Sequence, residues 1–167
     1  MHKYITIFMI AISLIIVSTA ANAFDYKNWI PLLPESIGGI EKHGDPSGMN
    51  MEKSGQSWSL LRQKYSDAEG NNIRLSIVTG SNAPGIRKFE TMQQFNMGTP
   101  EKNIKTLDIA GHKAVLELNK KGGESNLLIL AQEKTLVVID TASFDNEADI
   151  ISLAENVPLS KIADSVN

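Results

Sequence analysis

Met49, Met51 and His43 are the residues of this chain whose types and spacing come nearest to a metal site. They fall within nine positions of one another, in a segment rich in Gly, Ser, Pro and Asn. Thioether and imidazole groups are ligands that suit Cu(I). We predict no resident cofactor and no dedicated metal centre, and these three residues are the candidates for an alternative function in copper binding.

The sequence offers few residues in the patterns that catalysis requires. A serine hydrolase needs a nucleophile elbow and a histidine base, but the segment 80–84 lacks the second glycine of Gly-x-Ser-x-Gly. Beyond position 23 the histidines are His43 and His112, and both fall in segments that read as turns. We therefore predict no catalytic residue and, more readily than an enzyme, a protein without enzymatic activity.

Acidic residues offer a second alternative, a hydrolase of unfamiliar type that uses two carboxylates as acid and base. They are scattered along the chain, and their spacing does not bring any two together. Asp140 follows a very apolar stretch and is the one we expect to be partly buried. The candidates are Glu35, Glu41, Asp45, Glu52, Asp67, Glu69, Asp108, Glu117 and Asp140.

The first 23 residues resemble a cleavable export signal. Lys3 precedes an apolar run of about 13 residues, which is too short to cross a bilayer core of about 30 Å. Ala21 and Ala23 form a small-x-small cleavage site, so we expect signal peptidase to cut after Ala23. This predicts a periplasmic or secreted bacterial protein, residues 24–167, with no stable membrane anchor after cleavage.

Composition limits the classes of partner that we expect for this single predicted domain. Loss of Lys3 takes the formal net charge from −3 to −4, which argues against nucleic acid. Basic pairs such as Arg87-Lys88 and Lys120-Lys121 are too few for a nucleic-acid surface. The chain contains no cysteine, so its stability cannot come from disulfides.

Hydrophobic patterning predicts an α+β fold: a mostly antiparallel sheet of about six strands with two main helices packed on it. An apolar stripe repeating every three residues predicts a helix over 86–96, and a second helix is predicted to run from a cap at Asp145 or Asn146 to Asn156. The first strand changes its apolar phase at Leu60-Leu61, which suggests a bulge there. The predicted strands are Ser57–Tyr65, Ile73–Thr79, Ile104–Ile109, Lys113–Asn119, Asn126–Ala131 and Thr135–Thr141.

Three features together resemble bacterial exported proteins with a PsbP-like α/β/α shape. They are the turn from Gly111 to Ala114, the apolar hairpin 126–141 and the ending 149–163. The resemblance spans residues 57–163 and is one of pattern. It implies a domain that binds or assists other proteins, and it assigns no functional residue.

The leading hypothesis is therefore a soluble periplasmic or secreted binding or accessory protein. Residues 35–56 read as one long loop with at most one short strand near Gly39–Lys42, and loops on a rigid sheet are common recognition elements. We predict that a periplasmic protein or a small ligand is contacted there. The predicted partner-binding residues are Trp58, His43, Met49 and Met51.

Overall fold

The computed structural model describes residues 24–166. The predicted leader and its cleavage site at Ala23 lie outside the described residues, as does Asn167. Within residues 24–166, no helix has the length and apolar character needed to cross a membrane.

The described chain forms one antiparallel sheet of nine strands. This corrects the predicted α+β fold of six strands and two main helices, because the protein is mostly β. The strands are β1 (Ser36–Ile37), β2 (Ile40–Lys53), β3 (Gln56–Ser66), β4 (Asn72–Gly80), β5 (Met97–Gly98), β6 (Lys102–Ile109), β7 (His112–Asn119), β8 (Ser125–Gln132) and β9 (Thr135–Thr141).

The sheet consists of two meanders joined at its centre. Its strand order is β1-β2-β3-β4-β9-β8-β7-β6-β5, so the first meander runs from β1 to β4 and the second from β5 to β9. β4 and β9 pair with each other over seven residue pairs, from Ile73–Thr141 to Thr79–Thr135. The predicted central position of the two most apolar strands, β8 and β9, is confirmed by this order.

The helices are short, and for this reason the predicted balance of helix and strand was wrong. They are α1 (Ile86–Met92), α2 (Glu147–Leu153) and α3 (Leu159–Asp164). α1 ends at Met92, four residues early, and Phe95 is 43 % exposed instead of extending the buried stripe. Asn146 caps α2 as predicted, by accepting from the Asp149 N–H, but the α-helix ends at Leu153 and continues as a 3-10 turn over 154–156.

Each face of the sheet carries its own apolar core because side chains alternate along every strand. The first face is covered by the N-terminal 3-10 helix (Tyr26–Leu32) and by α2 and α3, and its core includes Trp29, Leu75 and Ile150. The second face carries a smaller core, in which Phe89 and Met92 of α1 pack over strand residues such as Leu128. Two-sided burial also explains why Leu60 and Leu61 are both buried without a bulge in β3, which pairs continuously with β4.

The segment 35–56 is not a long loop, and that prediction was wrong. It forms β1 and the 14-residue strand β2, which pairs with β3 from Lys42–Tyr65 to Lys53–Gln56. The irregularity that the sequence suggested in β3 lies instead in β2, where the register shifts between His43 and Ser47. Its glycines and proline are accommodated because β3 supplies a complete pairing partner on either side of this bulge.

Candidate functional site

A row of polar side chains crosses the second face of the sheet from β2 to β7. Residues directly opposite each other in an antiparallel pair have side chains on the same face, so the register defines the row. Four of its six members are charged at neutral pH. The row runs His43, Lys64, Arg74, Asp140, Asn126 and Glu117.

The β2 end of this row opens into a basic hollow of about 610 Å³. α1 and its core do not cover it, and its basic side chains are exposed. Asp45 is the acidic residue at its wall. We define the basic hollow by His43, Ser47, Arg62, Lys64 and Arg74.

Two of the three permanent cations in the basic hollow have no carboxylate within ion-pair distance among the residues that the structure describes. Arg74 Nη1 lies 3.3 Å from Glu124 Oε1 and 3.5 Å from Asp140 Oδ2. Arg62 and Lys64 form no ion pair with any other residue of the described range 24–166. The positive charge of these two side chains therefore faces solvent.

Asp140 adjoins the basic hollow and is partly buried, as the sequence predicted. Its side chain is 14 % exposed. Burial raises the pKa of Asp140 and the nearby Glu124 raises it further, while the charges of Arg74, Lys88 and Arg62 oppose the increase. Asp140 and Glu124 are the two carboxylates that the structure brings together around Arg74, and this arrangement is an ion-pair cluster.

Gln63 builds the β2 bulge from the opposite face of the sheet. Its side chain is 1 % exposed, and its Nε2 donates to the carbonyl oxygens of Lys64, His43 and Gly44 at 2.8, 3.3 and 3.2 Å. The bulge carbonyls of His43 and Gly44 thus both accept from the side chain of Gln63. A buried amide in this role fixes the shape of the hollow's wall.

At the other end of the polar row, Glu117 is held by two lysines. Glu117 is 8 % exposed, its Oε2 lies 2.5 Å from Lys88 Nζ, and its Oε1 pairs with Lys102 Nζ. Burial by itself raises the pKa of Glu117, but the hydrogen bonds and charges of Lys102 and Lys88 lower it more, so the pKa lies below its ordinary value. The Lys88 bond ties α1 to the sheet.

The substitution Glu117→Gln tests this arrangement. At neutral pH we expect it to lower the free energy of unfolding by about 1–3 kcal/mol, because two charge-assisted bonds to a buried group are lost. A lowered carboxyl pKa gives stability that is complete above the ordinary glutamic-acid pKa and disappears as pH falls through the lowered value. Urea unfolding at several pH values should therefore show a smaller acid-dependent loss in Glu117→Gln.

Glu101→Gln is the matched control for that experiment. Glu101 pairs with Lys121 at 2.7 Å, but both side chains are more than half exposed, so we expect a change of at most about 0.5 kcal/mol. Equal stability losses in the two variants, or the same acid dependence in Glu117→Gln as in the unaltered protein, would contradict the structural role of Glu117.

An apolar patch adjoins the basic hollow on the same two strands. Met49 and Met51 of β2 are each 43 % exposed, and Met51 lies opposite the half-buried Trp58 of β3. These three residues define the apolar patch. Trp58 and Lys64 are six residues apart along β3, so the apolar patch and the basic hollow together span about 20 Å.

The structure places all four sequence-predicted partner-binding residues on one face of the β2–β3 hairpin. Met51 and Trp58 are direct neighbours, and Met49 lies opposite Leu60. His43 lies opposite Lys64, four residues along β3 from Leu60 and six from Trp58, which puts it about 13 Å from Met49 and about 20 Å from Met51. The structure thus brings Met49 and Met51 together and leaves His43 apart, and the copper hypothesis stays a prediction.

Other predicted features lie elsewhere. His112 begins β7, opposite Ile109. In the described range 24–166, no group of three or more His, Cys, Asp or Glu residues is arranged to hold a metal ion. A second depression of about 570 Å³, mainly apolar, lies between the β6–β7 turn and the C-terminal helices, with Ile109, Val157 and Leu159 in its wall.

Sequence reasoning did not identify Arg62, Lys64 and Arg74. Each is a charged residue that alternates with buried residues along its strand, a pattern that normally marks a solvated face. In β4 the same phase carries Ser76 two residues after Arg74, so the local pattern gave no signal that these cations form a shared surface.

Comparisons with known protein families, with curated proteins and with solved structures found no match. The fold and the surface described above are therefore the basis for assigning a function.

Proposed function

We propose that this chain is an exported binding or accessory protein without enzymatic activity, and that it contacts its partner through the β2–β3 side of the second sheet face. The observation that carries the proposal is the continuous surface formed by the apolar patch and the basic hollow. Its exposed methionines, and its cations that form no ion pair within residues 24–166, are both features of recognition surfaces.

Rigidity supports this choice of surface. β3 pairs with β2 on both sides of the bulge and with β4 without interruption from Trp58 to Ser66, and the residues beneath the hairpin belong to the first core. Preorganised side chains lose less freedom on binding, so a partner gains affinity at a lower entropic cost.

Export and cleavage after Ala23 are part of the proposal, which places the protein in the periplasm or outside the cell. Phe24, the residue after the expected cut, is already held in the fold: its carbonyl oxygen accepts from the Ser59 hydroxyl, and its ring lies 4.4 Å from that of Trp29. The resemblance to PsbP-like domains stays a prediction. We propose no nucleic-acid partner, in keeping with the acidic net charge.

Methionine oxidation tests the proposed surface. The purified protein and its native cells are treated briefly with hydrogen peroxide, and sulfoxide at each methionine is measured by mass spectrometry. In the purified protein Met49, Met51 and Met97 should oxidise readily, because they are 43, 43 and 38 % exposed, whereas Met92 at 7 % should be spared. In cells a bound partner should protect Met49 and Met51.

Met97 is the internal control, because it is similarly exposed but lies on β5, seven strand spacings from β2, or about 30 Å. Protection of Met49 and Met51 at least threefold beyond that of Met97 supports the proposal. Equal oxidation at all three positions in cells would refute it.

A further inference from the structure

The basic hollow contains an arrangement that disfavours folding. Lys64 and Arg74 are directly opposite each other in the β3–β4 ladder, and Arg62 follows two residues along the same face. Like charges directly opposite in an antiparallel pair are destabilising. Two of these three cations form no ion pair with a carboxylate in the described range 24–166. An anion placed between the three would offset their mutual repulsion and stabilise the arrangement.

The backbone around the basic hollow favours the same sign of ligand. Because Gln63 Nε2 donates to the carbonyl oxygens of His43 and Gly44, these two acceptors beside the hollow are already hydrogen-bonded. The hydroxyl of Ser47, directly opposite Arg62, adds a neutral hydrogen-bond donor to the wall. The hollow therefore offers donors of several kinds to oxygen acceptors.

Size and surrounding charge limit the ligand to a small molecule. The volume of about 610 Å³ lies within the usual range of small-molecule sites. Asp45 is in the wall, and Glu124 and Asp140 lie on the far side of Arg74. These carboxylates, in a chain of formal net charge −3, repel long polyanions while leaving room for a compact one.

We propose that the basic hollow binds a small organic ligand that carries two or more oxyanion groups, carboxylate or phosphate. Arg62 and Lys64 supply cations that form no ion pair within the described range 24–166, and Arg74 is the third contact. This inference rests on the proposed function and names the chemistry that its surface recognises.

Site-resolved titration tests the inference. The full chain is expressed with isotope label, and the protein exported to the periplasm is purified and titrated with citrate or with inorganic phosphate at constant ionic strength while amide NMR signals are followed. Saturable shifts should appear at residues 43–47 and 62–64. Response to citrate alone identifies carboxylate, response to phosphate alone identifies phosphate, and response to both identifies their shared chemistry; each of these supports the proposal.

The test variant is Arg62→Gln/Lys64→Gln, and its matched control is Lys134→Gln/Lys161→Gln, which removes the same charge at exposed positions outside the hollow. We expect affinity to fall at least tenfold in the first and to stay within twofold in the second. The melting temperature of the first should equal or exceed that of the unaltered protein, because repulsion is relieved. Added salt should weaken citrate binding to the unaltered protein, which tests the charge without any substitution.

The inference is overturned if neither anion produces saturable shifts at these residues, if the two variants bind equally well, or if salt leaves the affinity unchanged. Protection of Met49 and Met51 in cells, combined with any of these results, would keep the proposed function and remove the anionic ligand. Loss of that protection would count against the proposed function itself.

Discussion

Replacing Trp29 with alanine is expected to lower the free energy of unfolding by about 3–5 kcal/mol. Trp29 is fully buried in the first core, and its indole Nε1–H donates to the Ser165 hydroxyl at 3.0 Å, 136 residues further along the chain. The substitution removes a large aromatic volume and one long-range hydrogen bond. Because small domains have a total stability of only about 5–15 kcal/mol, the loss is a major fraction.

Trp29→Phe and Ser165→Ala separate the two contributions. Phenylalanine retains most of the buried ring and should lose far less than alanine, while Ser165→Ala should lose only about 1 kcal/mol, the value of one hydrogen bond. Chemical denaturation of the three variants measures this order. An alanine variant as stable as Ser165→Ala would show that the N-terminal 3-10 helix does not pack on the sheet as described.

Gly80→Ala is expected to lower the free energy of unfolding by about 3 kcal/mol or more, from strain and overpacking together. Gly80 ends β4 opposite Trp58 and has a φ of +117°. A β-carbon there would lie 2.2 Å from the Ser57 carbonyl oxygen and 2.7 Å from the Trp58 α-carbon, and both are backbone atoms. β3, which carries Trp58 of the apolar patch, would have to move.

Gly111→Ala isolates the part of this effect that comes from the backbone angle alone. Gly111 also has a positive φ, +84°, but an added β-carbon would meet nothing within 4 Å. We expect a loss of only about 1 kcal/mol for Gly111→Ala. Thermal and urea unfolding of both variants checks the difference, and equal losses would contradict the close approach of β3 to Gly80.

The parts of the fold that the sequence predicted are those in which local pattern and tertiary pairing agree. β7 to β9 are rich in apolar residues, and turns at 110–111, 120–124 and 133–134 separate the strands from β6 to β9, so their bounds are close to the predicted ones. In β4, the buried residues Ile73 and Leu75 alternate with the exposed Arg74, so the apolar and polar positions form a clear period of two. For such segments the spacing of the apolar residues is enough to predict the strand.

β2 was missed because its residues are locally unlike a strand. Gly44, Pro46 and Gly48 are typical of turns, and each has a tertiary reason that the sequence does not display. The bulge that contains Gly44 and Pro46 is held by Gln63 from the neighbouring strand. Gly48 leaves space for the ring of Tyr26, whose carbons would lie 2.2 and 2.5 Å from an added β-carbon.

The candidate site was only half predictable for a related reason. Exposed methionines and a tryptophan in a polar segment are visible in the sequence, and they led to the apolar patch. The basic hollow depends on the register that sets Lys64 opposite Arg74 and on the bulge that shapes its wall. Neither is determined by the residues next to them in the chain, because strand register is a property of two strands together.

The most direct test of the account is the ratio of Met51 to Met97 oxidation, measured in native cells and again in the purified protein. If the β2–β3 surface is where a partner sits, this ratio falls at least threefold in the cells, while the purified protein shows similar rates at the two positions. A ratio that is the same in both settings would mean that Met51 faces solvent throughout, and the central claim would then be wrong.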